Sequence, residues 1–124
     1  MNNSQPKIFL SYCSKDGVLA RLFAHIFKQE AVECFLADRD LPPGQPFDTQ
    51  ICVTIRQSSL FLVLWSSNSL ASPWVNQEIG IAIANHIPIW PIAVENISLQ
   101  GPIFRTQGID LRYHADPYVI RKQE

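Results

Sequence analysis

The sequence predicts an α/β fold of the flavodoxin-like kind: a five-stranded parallel sheet, order 2-1-3-4-5, with helices on both faces. Three observations predict it. Short apolar runs alternate with segments of helical periodicity along most of the chain, the pattern of repeated βαβ units. The run Ser59–Trp65 (S-L-F-L-V-L-W) is nearly all apolar, as a central strand covered on both sides must be. The length, 124 residues, is enough for one domain with a real core and too short for two. Right-handed crossovers between five strands then select the strand order.

Taken in turn, Lys7–Tyr12 (K-I-F-L-S-Y) is a short apolar run bounded by a polar loop, hence a strand. Asp16–Glu30 carries Val18, Leu19, Leu22, Phe23, Ile26 and Phe27 at helical spacing, an amphipathic helix. Val32–Leu36 is the second strand. Asp38–Phe47 holds three prolines and a glycine in D-R-D-L-P-P-G-Q-P-F and must be a loop. Helical spacing resumes over Asp48–Gln57 through Ile51 and Ile55. After the strand Ser59–Trp65 come a Ser-rich loop, Ser66–Ser72, and a helix from Pro73. Ile87–Val94 reads as a buried strand, although Pro88 and Pro91 weaken its ladder. Ile109–Leu111 is a short fifth strand, and Pro117–Lys122 begins a last helix. The domain expected is therefore 7–124, after a disordered segment 1–6. Its final helix looks cut off at R-K-Q-E, as in a domain taken from a longer protein.

Composition excludes several classes of function. The chain is 47% hydrophobic and 17% charged, with a net charge of −1 and no Lys/Arg stripe. No nucleic-acid footprint follows from such a balance, nor an electrostatic membrane contact. No apolar run approaches the roughly 18 residues of a membrane helix, and no signal-peptide layout opens the chain. Cys13, Cys34 and Cys52 are odd in number and fit no metal or C-x-x-C spacing, as in a reducing, cytoplasmic setting. Cys34 and Cys52 read as small core residues; Cys13, just after a strand, is either passive or faces a cleft. With three scattered histidines, no metal site is expected. The phosphate-binding loops of NTPases and dinucleotide folds are missing, as is a G-x-S-x-G elbow. Response-regulator chemistry needs two acids after the first strand, where Ser11, Tyr12 and Cys13 stand instead.

The stretch S-P-W-V-N-Q-E-I-G-I-A-I, Ser72 to Ile83, is the most informative. Ser72 suits an N-cap and Pro73 the first helical position. At 100° per residue Trp74, Val75, Glu78, Ile79 and Ala82 share a face, while Asn76, Gln77 and Gly80 point away. An acid inside an apolar arc is costly unless it is paired or used. Glu78 is thus either a structural bridge to a loop or a functional acid, and we favour the second. Ligands of such sheets bind beyond the carboxyl ends of the strands, where Ser11–Asp16, Asp38–Phe47 and Ser66–Pro73 converge. Glu78, about 7 Å along its helix, would reach the floor of that cleft. Helix N-termini near Pro73 and Asp16 would favour an anionic group such as a diphosphate.

These pieces together resemble a Toll/interleukin-1 receptor (TIR) domain, more the bacterial sort than the animal receptor sort. The likeness spans about residues 7 to 111. It rests on I-F-L-S-Y followed by Ser14, Lys15 and Asp16; on F-L-A-D-R-D-L-P-P-G, similar to the family's BB loop; and on L-V-L-W-S followed by S-P-W-V-N-Q-E-I, with the W-x-x-x-E spacing of Trp74 and Glu78. Each is weak alone; in this order and spacing they are specific.

The resemblance implies either an assembly module or an enzyme that cleaves NAD+ at the nicotinamide–ribose bond. In the enzyme, Glu78 would be the essential residue, with NAD+ the substrate and no cofactor. Nicotinamide would be released with ADP-ribose or a cyclic isomer. The chemistry fits the residues independently: a cationic leaving group departs neutral, so no general acid is needed, and one carboxylate can stabilise the oxocarbenium-like ribose. Trp74 would wall the substrate or serve the core. Phe47 would lie over the nicotinamide or anchor its loop. Tyr12 and Ser14 stand near the entrance, with Cys13 and Ser14 where some relatives carry arginines. Asp38, Arg39 and Asp40 are solvated loop charges or contacts to substrate and partner. Arg39, Asp40, Leu41, Pro42, Pro43 and Gly44 would join like domains into an oligomer or filament. Trp65 and Trp90 read as core. The enzyme reading implies a bacterial antiviral effector, activated by self-association and by a sensor in a partner or beyond residue 124. The alternative is a non-catalytic scaffold or virulence module acting through the BB loop.

Overall fold

A computed structural model describes residues 6–36, 49–94 and 109–110. The elements are β1 (Lys7–Ser11), a 3-10 turn (Ser14–Asp16), α1 (Gly17–Gln29), β2 (Glu33–Leu36), α2 (Thr49–Arg56), β3 (Leu60–Trp65), α3 (Ser67–Leu70), α4 (Pro73–Ala84), β4 (Ile89–Ala93) and β5 (Ile109–Asp110). The sheet runs β2-β1-β3-β4-β5 with every pair parallel, the predicted order. Residues 1–5, 37–48, 95–108 and 111–124 lie outside the described set, and with them the expected BB loop, Phe47 and last helix.

Period-two alternation divides the strands between two cores. Phe9, Phe61, Val63, Trp65 and Ile89 pack with Ile51 and Ile55 of α2 and with Val75, Ile79 and Ala82 of α4. In register across β2, β1 and β3, Phe35, Phe9 and Phe61 form a stacked row, with centroids 5.3 and 5.5 Å apart. On the opposite face Ile8, Leu10, Tyr12, Leu62, Leu64 and Ile92 meet Ala20 of α1, with Leu19, Phe23 and Phe27 packed around them. A sheet sandwiched in this way needs apolar residues at nearly every position of its central strand. β3 supplies them.

Three expectations need correction. The amphipathic helix α1 is there, but its apolar stripe is only partly covered: Val18, Leu22 and Ile26 are exposed, at 78, 53 and 44%. They fall on a second arc, turned away from the sheet that Leu19, Phe23 and Phe27 contact. Trp90 is 41% exposed rather than core, although Trp65 is buried as expected. The Ser-rich segment is not all loop. Ser66 and Ser69 form a reciprocal capping box, and α3 begins there.

Helices α1 and α4 end in the same stop before the chain returns to the sheet. Val32 N–H bonds to Phe27 C=O and Ala31 N–H to Lys28 C=O; Ile87 N–H bonds to Ala82 C=O and His86 N–H to Ile83 C=O. These are Schellman motifs, and Ala31 (φ 59°) and His86 (φ 58°) take the left-handed position that glycine usually fills.

Cys34 is half-buried against the α1 face of the sheet, and burial pushes its thiol up to about 11. At pH 8 this leaves about a hundredfold less thiolate than the ordinary value of 9.0 would give. Iodoacetamide should therefore label Cys34 slowly, with a rate still climbing at pH 10, as peptide mass spectrometry would show. A labelling rate that levels off below pH 9 would contradict this environment.

Candidate active site

β1 ends at the carboxyl edge of the sheet, and its alternation puts Ser11 on the same face as Phe9, toward α4. Ser72 caps α4 by accepting a hydrogen bond from Val75 N–H at 3.3 Å, and Pro73 fills the first turn. The helix begins where the sequence predicts. Along it, Val75, Glu78, Ile79 and Ala82 turn inward while Asn76, Gln77 and Gly80 are exposed.

Glu78 is completely buried. Its Oε1 accepts a 2.7 Å hydrogen bond from Ser11 Oγ, and Ser11 is equally inaccessible. Oε2 is also sealed from solvent. A dry carboxylate is costly without a donor aimed at it, and Ser11 supplies one across 67 residues of sequence.

Beside this pair a cavity of about 590 Å³ opens between the first loop and the α3–α4 segment. It is lined by Tyr12, Cys13, Ser14, Lys15, Ser67, Asn68, Ala71, Ser72, Pro73 and Trp74. Three of the residues assigned to the site from sequence, Tyr12, Ser14 and Trp74, thus line one cavity, the first two from the first loop and Trp74 from α4. Glu78 is not among the lining residues; it stands one helical turn beyond Trp74, bonded to the residue before Tyr12. The expectation that it forms the cleft floor is corrected to that extent. Tyr12 is buried, Trp74 half-buried and Ser14 exposed. Asp38, Arg39, Asp40, Leu41, Pro42, Pro43, Gly44 and Phe47 lie outside the described residues.

Three contributions went unassigned in the sequence. Ser11 was visible only as a strand residue, although its parity with Phe9 was a signal that it faces α4. Among the described residues Lys15 is the single charged side chain on the cavity wall, next to Cys13 and Ser14 where some relatives carry arginines. Asp16 locks the two loops that form the cavity: Ser66 Oγ donates to Oδ2 at 2.6 Å and Asn68 Nδ2 to Oδ1 at 3.3 Å. Local spacing carries no hint of that pairing, because its partners are 50 and 52 residues away.

A family model for the TIR domain matches residues 8–121. The chain belongs to the TIR domain family. The fold of this TIR domain is shared with that of the Toll-related receptor TRR-2 from Hydra magnipapillata, at a TM-score of 0.73 and 16% identity, covering 94% of this chain and 92% of that one. The TIR domains of the Roq1 resistosome match at a TM-score of 0.56 and 21% identity, over 71% of this chain and 57% of theirs. Among curated proteins, NAD(+) hydrolase ApTIR from Actinoplanes sp. is 34% identical over 87 residues, or 63% of this chain. The TIR domain spans only 12% of that relative's length. No helix among the described residues is long and apolar enough to cross a membrane.

Proposed function

We propose that this TIR domain is an NAD+ glycohydrolase with Glu78 as its catalytic carboxylate. The observation that carries the reading is a fully buried glutamate, held at 2.7 Å by Ser11 beside a cavity at the carboxyl edge of the sheet. The 34% identical relative named NAD(+) hydrolase supports the same substrate. In the reaction the bond between ribose C1′ and the nicotinamide nitrogen breaks, and its electron pair leaves with neutral nicotinamide. The Glu78 carboxylate stabilises the cationic ribose that remains. Water adds at C1′ and loses a proton, giving ADP-ribose; attack by an atom of the substrate itself gives a cyclic isomer. Trp74 and Tyr12 flank the ribose and nicotinamide, Ser14 stands at the mouth, and Lys15 meets the diphosphate. Phe47 and Asp38 complete the substrate contacts from the proline-rich loop. Entry of the ribose must open a path to Glu78, which is fully buried and does not line the cavity.

In this proposal residues 39–44 join copies of the domain into an active assembly, a sensor in a partner or in further chain triggers it, and the setting is bacterial antiviral defence. A scaffold reading is favoured by one observation: Glu78 is not among the residues lining the cavity, as in a purely structural role. Incubating concentrated protein with NAD+ and analysing products by mass spectrometry separates the two. Nicotinamide and an equimolar ADP-ribose species are expected. Intact NAD+ at every protein concentration, with self-association verified, would leave the scaffold.

A further inference from the structure

A second hollow, of about 640 Å³, lies away from this site along the edge strand β2. Arg21, His25 and Lys28 of α1 border one side, and Cys34 and Leu36 of β2 the other. Arg21 and Lys28 are exposed and make no ion pair among the described residues. Among the described residues the single acid on the rim is Glu33, which belongs to the parity of β2 that turns away from α1. Among the described residues the hollow therefore carries more positive than negative charge, and it lies beside the edge of β2 that faces away from β1.

The edge itself has a readable polarity. Glu33 N–H donates to Pro6 C=O at 3.1 Å, so Glu33 and Phe35 turn their peptide groups toward β1. Cys34 and Leu36 must then present their N–H and C=O groups outward, where no described residue pairs with them. Beneath the strand, on the face opposite α1, Phe35 is 38% exposed.

We propose that an extended acidic peptide of a partner protein docks here as a sixth strand beside β2, its carboxylates lying under Arg21 and Lys28. Backbone bonds to Cys34 and Leu36 supply the ladder, and residues of alternate parity supply the specificity. One set of side chains faces the α1 cations and should be acidic. The other faces Phe35 and should be apolar. A second copy of this chain fits poorly. Pairing β2 with β2 about an axis normal to the sheet sets the two basic helix sides against each other.

The test is a titration of the full chain into a fluorescein-labelled peptide of about eight residues alternating Glu and Val, long enough to span a four-residue strand. Saturable anisotropy is expected at low salt, together with slowed amide exchange at Cys34 and Leu36. Arg21→Glu with Lys28→Glu should weaken binding at least about tenfold, as should N-methylation of alternate peptide residues. The methylated peptide needs no protein variant, so that arm stands even if the charge reversal perturbs α1. Equal binding of a Lys/Val peptide, equal binding of the methylated peptide, or the same amide protection from protein dimerisation alone would each overturn the proposal.

Discussion

Glu78→Gln should abolish nicotinamide release while leaving the fold intact. The amide retains an oxygen that can accept the Ser11 hydroxyl, so the link between β1 and α4 survives. What disappears is the negative charge needed as the ribose becomes cationic. Loss of a fixed group that stabilises transition-state charge typically costs about 10²–10³ in rate, and more when it is the sole such group. Stability moves little, because removing a charge from a dry site offsets the awkwardness of placing an amide there, to within about 1–2 kcal/mol. Glu78→Ala differs: it opens a cavity and strands a buried hydroxyl, costing about 1–3 kcal/mol or more. Nicotinamide measured by chromatography, alongside a urea melt, reads both quantities. Turnover of the Gln variant within tenfold of the parent would remove Glu78 from the chemistry.

Much of this architecture could be read from local pattern. The apolar run Ser59–Trp65 announced a central strand, and β3 is buried on both sides. Ser72 and Pro73 fixed the start of α4 because capping chemistry is local, and the Glu78 arc followed from a 100° step. What failed was partner assignment. Periodicity showed that α1 had many apolar residues but not which arc met the sheet. Leu19, Phe23 and Phe27 do, while Val18, Leu22 and Ile26 do not. The same limit applies to Trp90, whose strand position gave no measure of what covers it.

The site divides along the same line. Tyr12, Ser14 and Trp74 line one cavity because topology brings the carboxyl ends of β1 and β3 side by side. Ser66–Ser69 was misread because a two-serine capping box looks like a polar loop until its reciprocal bonds are seen. Ser11 and Asp16 were missed for a deeper reason. Their partners, Glu78, Ser66 and Asn68, are at least 50 residues distant, and hydrogen bonds of that range leave no trace in spacing.

That long-range bond gives the other large effect expected here. Ser11→Ala removes the hydroxyl that donates to Glu78 in a site closed to water. The buried acceptor then loses a charge-assisted partner, which costs about 1–3 kcal/mol of stability. A carboxylate no longer held in one orientation should also lower kcat, by about tenfold, with KM nearly unchanged because the cavity wall is untouched. A double-mutant cycle isolates the bond. Glu78→Met alone strands the Ser11 hydroxyl and Ser11→Ala alone removes a donor from the carboxylate, whereas the double variant removes both polar groups and should be less destabilised than the sum by about 1–3 kcal/mol. Urea unfolding of the four proteins measures this coupling. Strict additivity would mean that Ser11 and Glu78 are merely neighbours, and the positioning role of Ser11 would then lose its support.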